Sequence, residues 1–223
     1  MCYYISGTML ETGDCCFMVE NWDDFLFPYQ EASNELKLKL RGIRSQYLER
    51  GERSPIEFVT SRIKPVDSIK EKMQRRHIDE SRLSEDMEDI CGLRIMCEFL
   101  DDIYTVVDVL RKRNDINILE ERDYVHNEKA SGYRSYHIVF SYPLQLVDGQ
   151  REILAEIQIR TLAMNFWATI EHSLNYKHPD VFPPEVHERL QSASETAYKL
   201  DEEMSEIKQE LDRDLKKQKD KHE

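Results

Sequence analysis

Apolar residues in the first quarter of the chain recur at steps of three and four: Phe25, Tyr29, Ala32, Leu36, Leu40, Ile43 and Tyr47. That period lays one stripe along one side of a helix, and it predicts a long amphipathic helix closed by Gly51 and Pro55. The pattern then shortens. Leu93–Phe99, Ile116–Val125, Tyr136–Tyr142 and Ile153–Arg160 are runs rich in β-branched and aromatic residues and read as strands. Ser84–Ile90, which enters the first of them, and Asp101–Arg113, which follows it, read as helical, the second on Val106, Val107 and Leu110. Val147-Asp148-Gly149-Gln150 supplies a hairpin turn, and Thr161–Tyr176 reads as a helix.

The tail returns to the three-four step with Leu190, Ala193, Ala197, Leu200, Met204, Ile207, Leu211 and Leu215. This near-heptad stripe serves equally for packing on its own domain or for a self-association seam. Lys216, Lys217, Lys219 and Lys221 then fray the end of the helix. The order of elements predicts an α+β domain: a mixed, largely antiparallel sheet flanked by helices, with long helices at both ends. Residues 21–182 form that domain and residues 183–223 a helical extension. Residues 1–20, with three cysteines and no helical period, read as an upstream-start extension or a disordered tail.

Composition narrows the function. A net charge of −13, from 31 basic and 44 acidic residues, opposes a general grip on duplex nucleic acid or an anionic membrane. Local basic clusters therefore stand out. No apolar run spans a bilayer, the first residues lack a basic leader, and five cysteines without a C-x-x-C pair fit the reducing cytoplasm. Cys91 and Cys97, inside an apolar run, read as small core residues.

The clearest cluster is Arg62, Lys64, Lys70, Lys72, Arg75 and Arg76, set against only Asp67 and Glu71. Seven glycines form neither a P-loop nor a G-x-G-x-x-G fingerprint, so bound phosphates must be held by side chains. Arg62 and Lys64 lie two apart and share a side of an extended stretch. Lys72 lies on the following helix, whose first turn includes Ser68 and faces an anion. A solvated basic face is the plain alternative.

Glu156 is a carboxylate inside the apolar run Ile153, Leu154, Ala155, Ile157 and Ile159, a costly position unless it is paired or binds a metal. Asp89 stands just before the run that opens Ile90-Cys91-Gly92. On neighbouring strands the two carboxylates reach one Mg²⁺, which takes one or two protein carboxylates and fills its shell with water and phosphate. Alone, Asp89 reads more often as a helix-end or ion-pair residue. Arg94 either stacks on a base or pairs with Glu98 or Asp89. Tyr133 either stacks a base or caps the core. His137 either meets a phosphate or is a satisfied strand histidine. Asn165 and His172, seven apart, share one face of a helix that also carries Glu171.

The segments RIKPVDSIKEK, DICGLRI, SGYRSYH, EIQIRT and NFWATIEHSLNYK, in this order, resemble the synthetase domain of the RelA/SpoT group over about residues 20–210. The short length and flanking helices are similar to the small alarmone synthetases of the RelQ type. No His-Asp pair, the mark of the group's hydrolase half, occurs. The resemblance implies a nucleotidyltransferase-like sheet and synthesis of guanosine tetra- or pentaphosphate from ATP and GDP or GTP. It implies ATP binding by Arg62, Lys64, Ser68, Lys72 and Arg94, with the adenine between the two guanidinium groups. Mg²⁺ falls to Asp89 and Glu156, and Glu156 also receives the proton of the 3′-hydroxyl. The acceptor falls to Tyr133, stacked on guanine, with Asn165 at the base edge and Lys129, Arg134 and His137 at the phosphates. It further implies a homotetramer with a central alarmone cleft lined by Arg41, Glu57, Phe58 and Thr60, where Arg41 replaces the usual lysine and changes the donor geometry.

Two other readings compete. One is a non-catalytic nucleotide or single-stranded RNA sensor that uses Arg62–Arg76 and Lys129–Arg134. The other is a nucleotidyltransferase that releases pyrophosphate, a class that pairs two aspartates closely in one strand. AMP, pyrophosphate or no product at all distinguishes the three.

Overall fold

The structure is a computed structural model that describes residue 19 and the stretches 21–177 and 183–219. Except for Val19, the expected extension over residues 1–20 lies outside the described residues, as does Lys221. The first helix, α1, runs Trp22–Glu49. Asn21 caps it, its side chain accepting from the Asp23 amide at 3.0 Å, and Asp23 and Asp24 complement the positive end of the helix. The anticipated stripe is the one that is buried: Tyr29, Ala32, Leu36, Leu40 and Ile43. Gly51, at φ 69°, turns the chain out of the helix.

Strand β1, Phe58–Ile63, was not legible as a strand. It lies at a sheet edge, and its outward residues Phe58, Thr60 and Arg62 are exposed, so no apolar run marks it. Helix α2 (Val66–Arg76) follows, then a 3₁₀ turn (Glu80–Arg82) and a single helical turn, α3 (Leu83–Asp86). The helix expected over Ser84–Ile90 is therefore mostly absent. Met87 and Ile90 are fully buried, and a turn rather than a helix carries them inward. Next come β2 (Cys91–Cys97), α4 (Leu100–Arg111), β3 (Asn117–Asp123), β4 (Tyr136–Leu146), β5 (Gly149–Thr161) and α5 (Leu162–Lys177). The β4–β5 hairpin is longer than its apolar runs suggest. Leu146 pairs with Gly149 across the two-residue turn Val147–Asp148, and Gly149 takes a φ of 128° that a side chain would disfavour.

The sheet order is β1-β2-β5-β4-β3, with only β2 and β5 parallel, so the predicted mixed, largely antiparallel sheet is correct. One face carries Cys91, Leu93 and Ile95 of β2, Ala155, Ile157 and Ile159 of β5, and Ile138, Phe140 and Tyr142 of β4, all buried with the α1 stripe and Ile103, Val106 and Leu110 of α4. Each large apolar side chain so buried stabilises the fold by roughly 1.5–3 kcal/mol before entropy is counted. Cys91 and Cys97 are free, buried thiols, as expected. The alternate residues of the same strands form the opposite, polar face.

The last helix, α6 (Pro184–Lys219), packs with its polar side inward. Ser194, Asp201 and Ser205 are buried against the domain, while Leu200, Met204, Ile207 and Leu211 are exposed at 42–61%. The apolar stripe is not spent on its own domain, contrary to the simpler of the two expectations. Among the described residues no helix is long and apolar enough to cross a membrane.

Candidate active site

The polar face of the sheet collects Glu156, Gln158 and Arg160 from β5, Arg94 from β2, Thr60 and Arg62 from β1, and His137 from β4. Register fixes who meets whom. Gly92 lies opposite Arg62 on one side and Glu156 on the other, and Arg94 lies opposite Gln158. Gly92 thus leaves the floor between Arg62 and Glu156 open. Arg62 and Arg94 are diagonal neighbours on antiparallel strands, a separation of about 7–8 Å. That spacing admits one planar ring between two guanidinium planes, each contact being about 3.5 Å.

Two cavities open on this face. One, of about 150 Å³, is lined by Thr60, Arg62, Asp89, Gly92, Arg94 and Glu156. The other, of about 290 Å³, shares Arg62 and Arg94 and adds Tyr133, Arg160, Glu171 and His172. Burial lowers the pKa of Arg94, and the charges of Arg160 and Arg62 press it the same way. Arg160 is itself buried and has an unbonded Nε, and no carboxylate forms an ion pair with it among the described residues. A site with three mutually repelling guanidinium groups is built for a polyanion.

Asp89 lies in the turn before β2 and receives Lys72 Nζ at 2.8 Å and Lys64 Nζ at 3.0 Å. Burial pushes its carboxyl up, but the two ammonium groups outweigh burial and hold it below the usual range. Glu156 is buried in β5. His137 Nδ1 lies 2.8 Å from its Oε1, and Gln158 Nε2 donates to its Oε2 at 2.8 Å. Here too burial raises the pKa, and the His137 and Gln158 contacts bring it down below the ordinary value.

These contacts extend into a chain. The Tyr133 hydroxyl lies 2.8 Å from His137 Nε2 and accepts from Arg160. Gln158 Oε1 accepts from Arg160 at 2.8 Å and from Arg94 Nε at 3.2 Å. One tautomer satisfies every member: Arg160 donates to the Tyr133 oxygen, Tyr133 to His137 Nε2, and His137 Nδ1–H to Glu156.

The expected site residues are distributed as follows. Arg62, Arg94, Asp89 and Glu156 meet in one cavity, and Tyr133 joins the two arginines in the next. Lys64 and Lys72 are held by Asp89, which reaches both expected roles of the basic segment at once. Ser68 lies in the first turn of α2, half-buried, outside both cavity linings. Lys129 Nζ lies 4.5 Å and 5.0 Å from the ring centroids of Tyr124 and Tyr133, and its pKa is lowered chiefly by burial. His137 is buried and occupied at both ring nitrogens. Arg134 donates to the Val125 carbonyl, pairs with Glu128 at 3.3 Å and lies 4.1 Å from the Tyr198 ring centroid, so it braces its loop. Asn165 is half-buried on α5, which instead presents Ala168, Thr169, Glu171 and His172 to the second cavity. Arg41, Glu57 and Phe58 line a separate cavity of about 220 Å³ together with Arg44, whereas Thr60 lines the cavity of Asp89 and Glu156.

Gln158, Arg160 and Arg44 escaped the reading of the sequence. For the first two a signal was present: Glu156, Gln158 and Arg160 alternate with Ile157 and Ile159, which puts all three on one strand face. Arg44 had none, because its Nε bond to the Ile56 carbonyl (3.1 Å) links α1 to the loop before β1.

A divalent cation fits this site by its chemistry. Among the described residues no group of three His, Cys, Asp or Glu could hold a metal, but Asp89 and Glu156 line one cavity and the charge of Asp89 opposes ionisation of Glu156. A cation between them relieves that repulsion, and each oxygen keeps a free lone pair beyond its present partner.

The chain is similar over most of its length to known proteins. Residues 61–180 match the family described as the region found in RelA / SpoT proteins. The GTP pyrophosphokinase YjbM of Bacillus subtilis is 57% identical over 192 residues, 86% of this chain and 90% of the relative. YwaC, a GTP pyrophosphokinase of the same organism, is 39% identical over 197 residues, 87% of this chain and 94% of the relative. The crystal structure of small alarmone synthetase 1 of Bacillus subtilis bound to its product pppGpp superposes with a TM-score of 0.82 at 57% identity, covering 85% of this chain and 97% of that one. On the family match and these identities, carried over most of its length, the chain belongs to the RelA/SpoT family.

Proposed function

We propose that this protein moves the pyrophosphoryl group of ATP to the 3′-hydroxyl of GDP or GTP, giving ppGpp or pppGpp and AMP, and that it does so in the cytoplasm. The observation that carries the reading is a pair of carboxylates, Asp89 and Glu156, in one cavity with Arg62 and Arg94, beside a second cavity where Arg160 joins the two arginines. A mere nucleotide or RNA sensor gains nothing from two like charges, one of them buried, that line one cavity. Arg62 and Arg94 take the adenine between them, and Lys64 and Lys72 leave Asp89 for the ATP phosphates. Tyr133 stacks on guanine, with Lys129 and Arg160 supplying positive charge beside the ring.

Mg²⁺, held by Asp89 and Glu156, supplies charge neutralisation at the phosphates. The protein's own contribution is alignment. Glu156, kept ionised by His137 and Gln158, accepts the hydrogen bond of the 3′-hydroxyl and directs its oxygen at the β-phosphorus. The new O–P bond forms as the bond from the β-phosphorus to the bridging α–β oxygen breaks, and AMP departs with that oxygen. The hydroxyl proton passes to Glu156, where His137 and Tyr133 continue the hydrogen-bonded chain.

Self-association as a tetramer belongs to the same reading. It is supported by the exposed stripe Leu200, Met204, Ile207 and Leu211 on α6 and by a second, Leu162, Phe166, Ile170 and Leu174, on α5. An alarmone at the cavity of Arg41, Arg44, Glu57 and Phe58, and single-stranded RNA on the basic segment, are its regulatory partners. The test is product analysis with purified protein, ATP, Mg²⁺ and GDP or GTP. AMP and a 3′-pyrophosphorylated guanosine nucleotide are expected. Pyrophosphate release, or no turnover, overturns the reading.

A further inference from the structure

The family match ends at residue 180 and α6 begins at Pro184, yet α6 grips the loop that carries Tyr133. Gly132 takes a φ of 86° and packs on the helix so closely that an added Cβ would lie 2.9 Å from Ser194 Cβ and 3.3 Å from Gln191 Cα. Ser194 Oγ donates to the Gly132 carbonyl. Two residues on, the Arg134 guanidinium sits 4.1 Å from the ring centroid of Tyr198. Gln191, Ser194 and Tyr198 follow at steps of three and four, so they lie on one side of the helix. The same side continues to Asp201, bonded to Thr161 at the end of β5, and to Ser205, whose hydroxyl accepts from the Leu100 amide at 3.1 Å.

The residues on both sides of Tyr133 are thus tied to α6. From the opposite direction the Tyr133 hydroxyl is tied to His137 and Arg160. The ring plane is fixed from outside the matched region and the ring tip from inside it. We infer that α6 is a positioning element for the guanine nucleotide, acting through Ser194 and Tyr198 on the loop Lys129–Arg134. Apart from α6, the loop is held by a short turn with bonds from the Gly132 amide to Lys129 (2.7 Å) and from the Lys129 amide to Tyr133 (3.1 Å), and by Arg134 on the Val125 carbonyl and Glu128; Lys129 and Ala130 at its tip are exposed. Ordering such a loop upon binding costs conformational entropy, and a helix that orders it beforehand removes that cost from acceptor binding alone. The ATP-side residues sit on β1, α2 and β2 and are held by other contacts.

This inference rests on the assignment of Tyr133 to the acceptor. Full-length Ser194→Ala, Tyr198→Ala and Tyr198→Phe are compared with wild type by AMP formation, varying GDP at saturating ATP and then ATP at saturating GDP. Light scattering checks that each variant keeps the wild-type assembly. Tyr198→Ala is expected to raise the GDP KM about tenfold and to leave the ATP KM within about twofold, with Tyr198→Phe, which keeps the ring, near wild type. Ser194→Ala shifts the same constant in the same direction by less. Faster amide exchange over residues 129–135 accompanies both. If both KM values rise together, if neither moves, or if Ser194→Ala and Tyr198→Ala both unfold, α6 is a folding element only and the inference fails. Wild-type protein that makes no AMP refutes the acceptor assignment itself, a result distinct from active wild type with unaltered variants.

Discussion

His137 Nδ1 lies 2.8 Å from Glu156 Oε1, and this pair, rather than either residue alone, sets the protonation state of the candidate catalytic carboxylate. Burial acts on Glu156 in one direction and His137 in the other, and His137, with Gln158, wins. A buried carboxylate deprived of such donors reverts towards the neutral acid.

His137→Ala should therefore raise the Glu156 pKa, because burial then dominates. The acid limb of the pH–rate profile should move to higher pH, and kcat at neutral pH should fall by about 10²-fold. Gln158→Leu should shift the limb in the same direction by less. An unshifted limb in His137→Ala would show that the histidine serves a phosphate alone.

Glu156→Gln keeps the shape and the bond to His137 but removes the charge. Turnover should drop by several powers of ten, on the order of 10³ or more, while ATP and GDP still bind as seen by calorimetry. A near-normal rate in this variant would rule out a base or metal role for Glu156.

Asp201 is buried on α6 and bonded to Thr161, and burial pushes its carboxyl up to about 6. A folded-state pKa above the unfolded one means that the folded protein binds the extra proton. Stability then declines as pH rises from about 4 to 6 and stays lower above that, by roughly 2–3 kcal/mol for a shift of this size. Asp201→Asn should be more stable than wild type at pH 7.5, and the two should converge near pH 4. Thermal melts across that range decide it, and identical melting curves at pH 7.5 would remove the claim.

Leu200→Glu with Ile207→Glu places two charges on the exposed stripe of α6, away from its packed side. The fold should survive, since neither residue is buried, and the assembly should shrink in light scattering. A wild-type protein that is monomeric at micromolar concentration would remove the basis for the seam.

The sequence by itself determined the elements whose periodicity is local. The α1 stripe from Tyr29 to Ile43, the helices α4 and α5 and the strands β2, β4 and β5 all follow from burial on one side, which composition records directly. It also carries the ordered motifs that mark the family, in which Arg62, Asp89, Arg94, Tyr133 and Glu156 stand. Only the tertiary structure decided the rest. β1 is a strand because β2 offers it partners, not because its own residues are apolar. Asp89 and Glu156 share a cavity because β2 and β5 run parallel at one register, 67 positions apart in sequence by their numbers. The direction of α6 could not be read from its apolar stripe, since that side is free and the helix is held by hydroxyls and a carboxylate whose partners, Gly132, Thr161 and Leu100, lie far away in the chain. Hydrophobic periodicity states which side of an element seeks cover. It does not state what provides that cover, because non-local hydrogen bonds leave no period in the sequence.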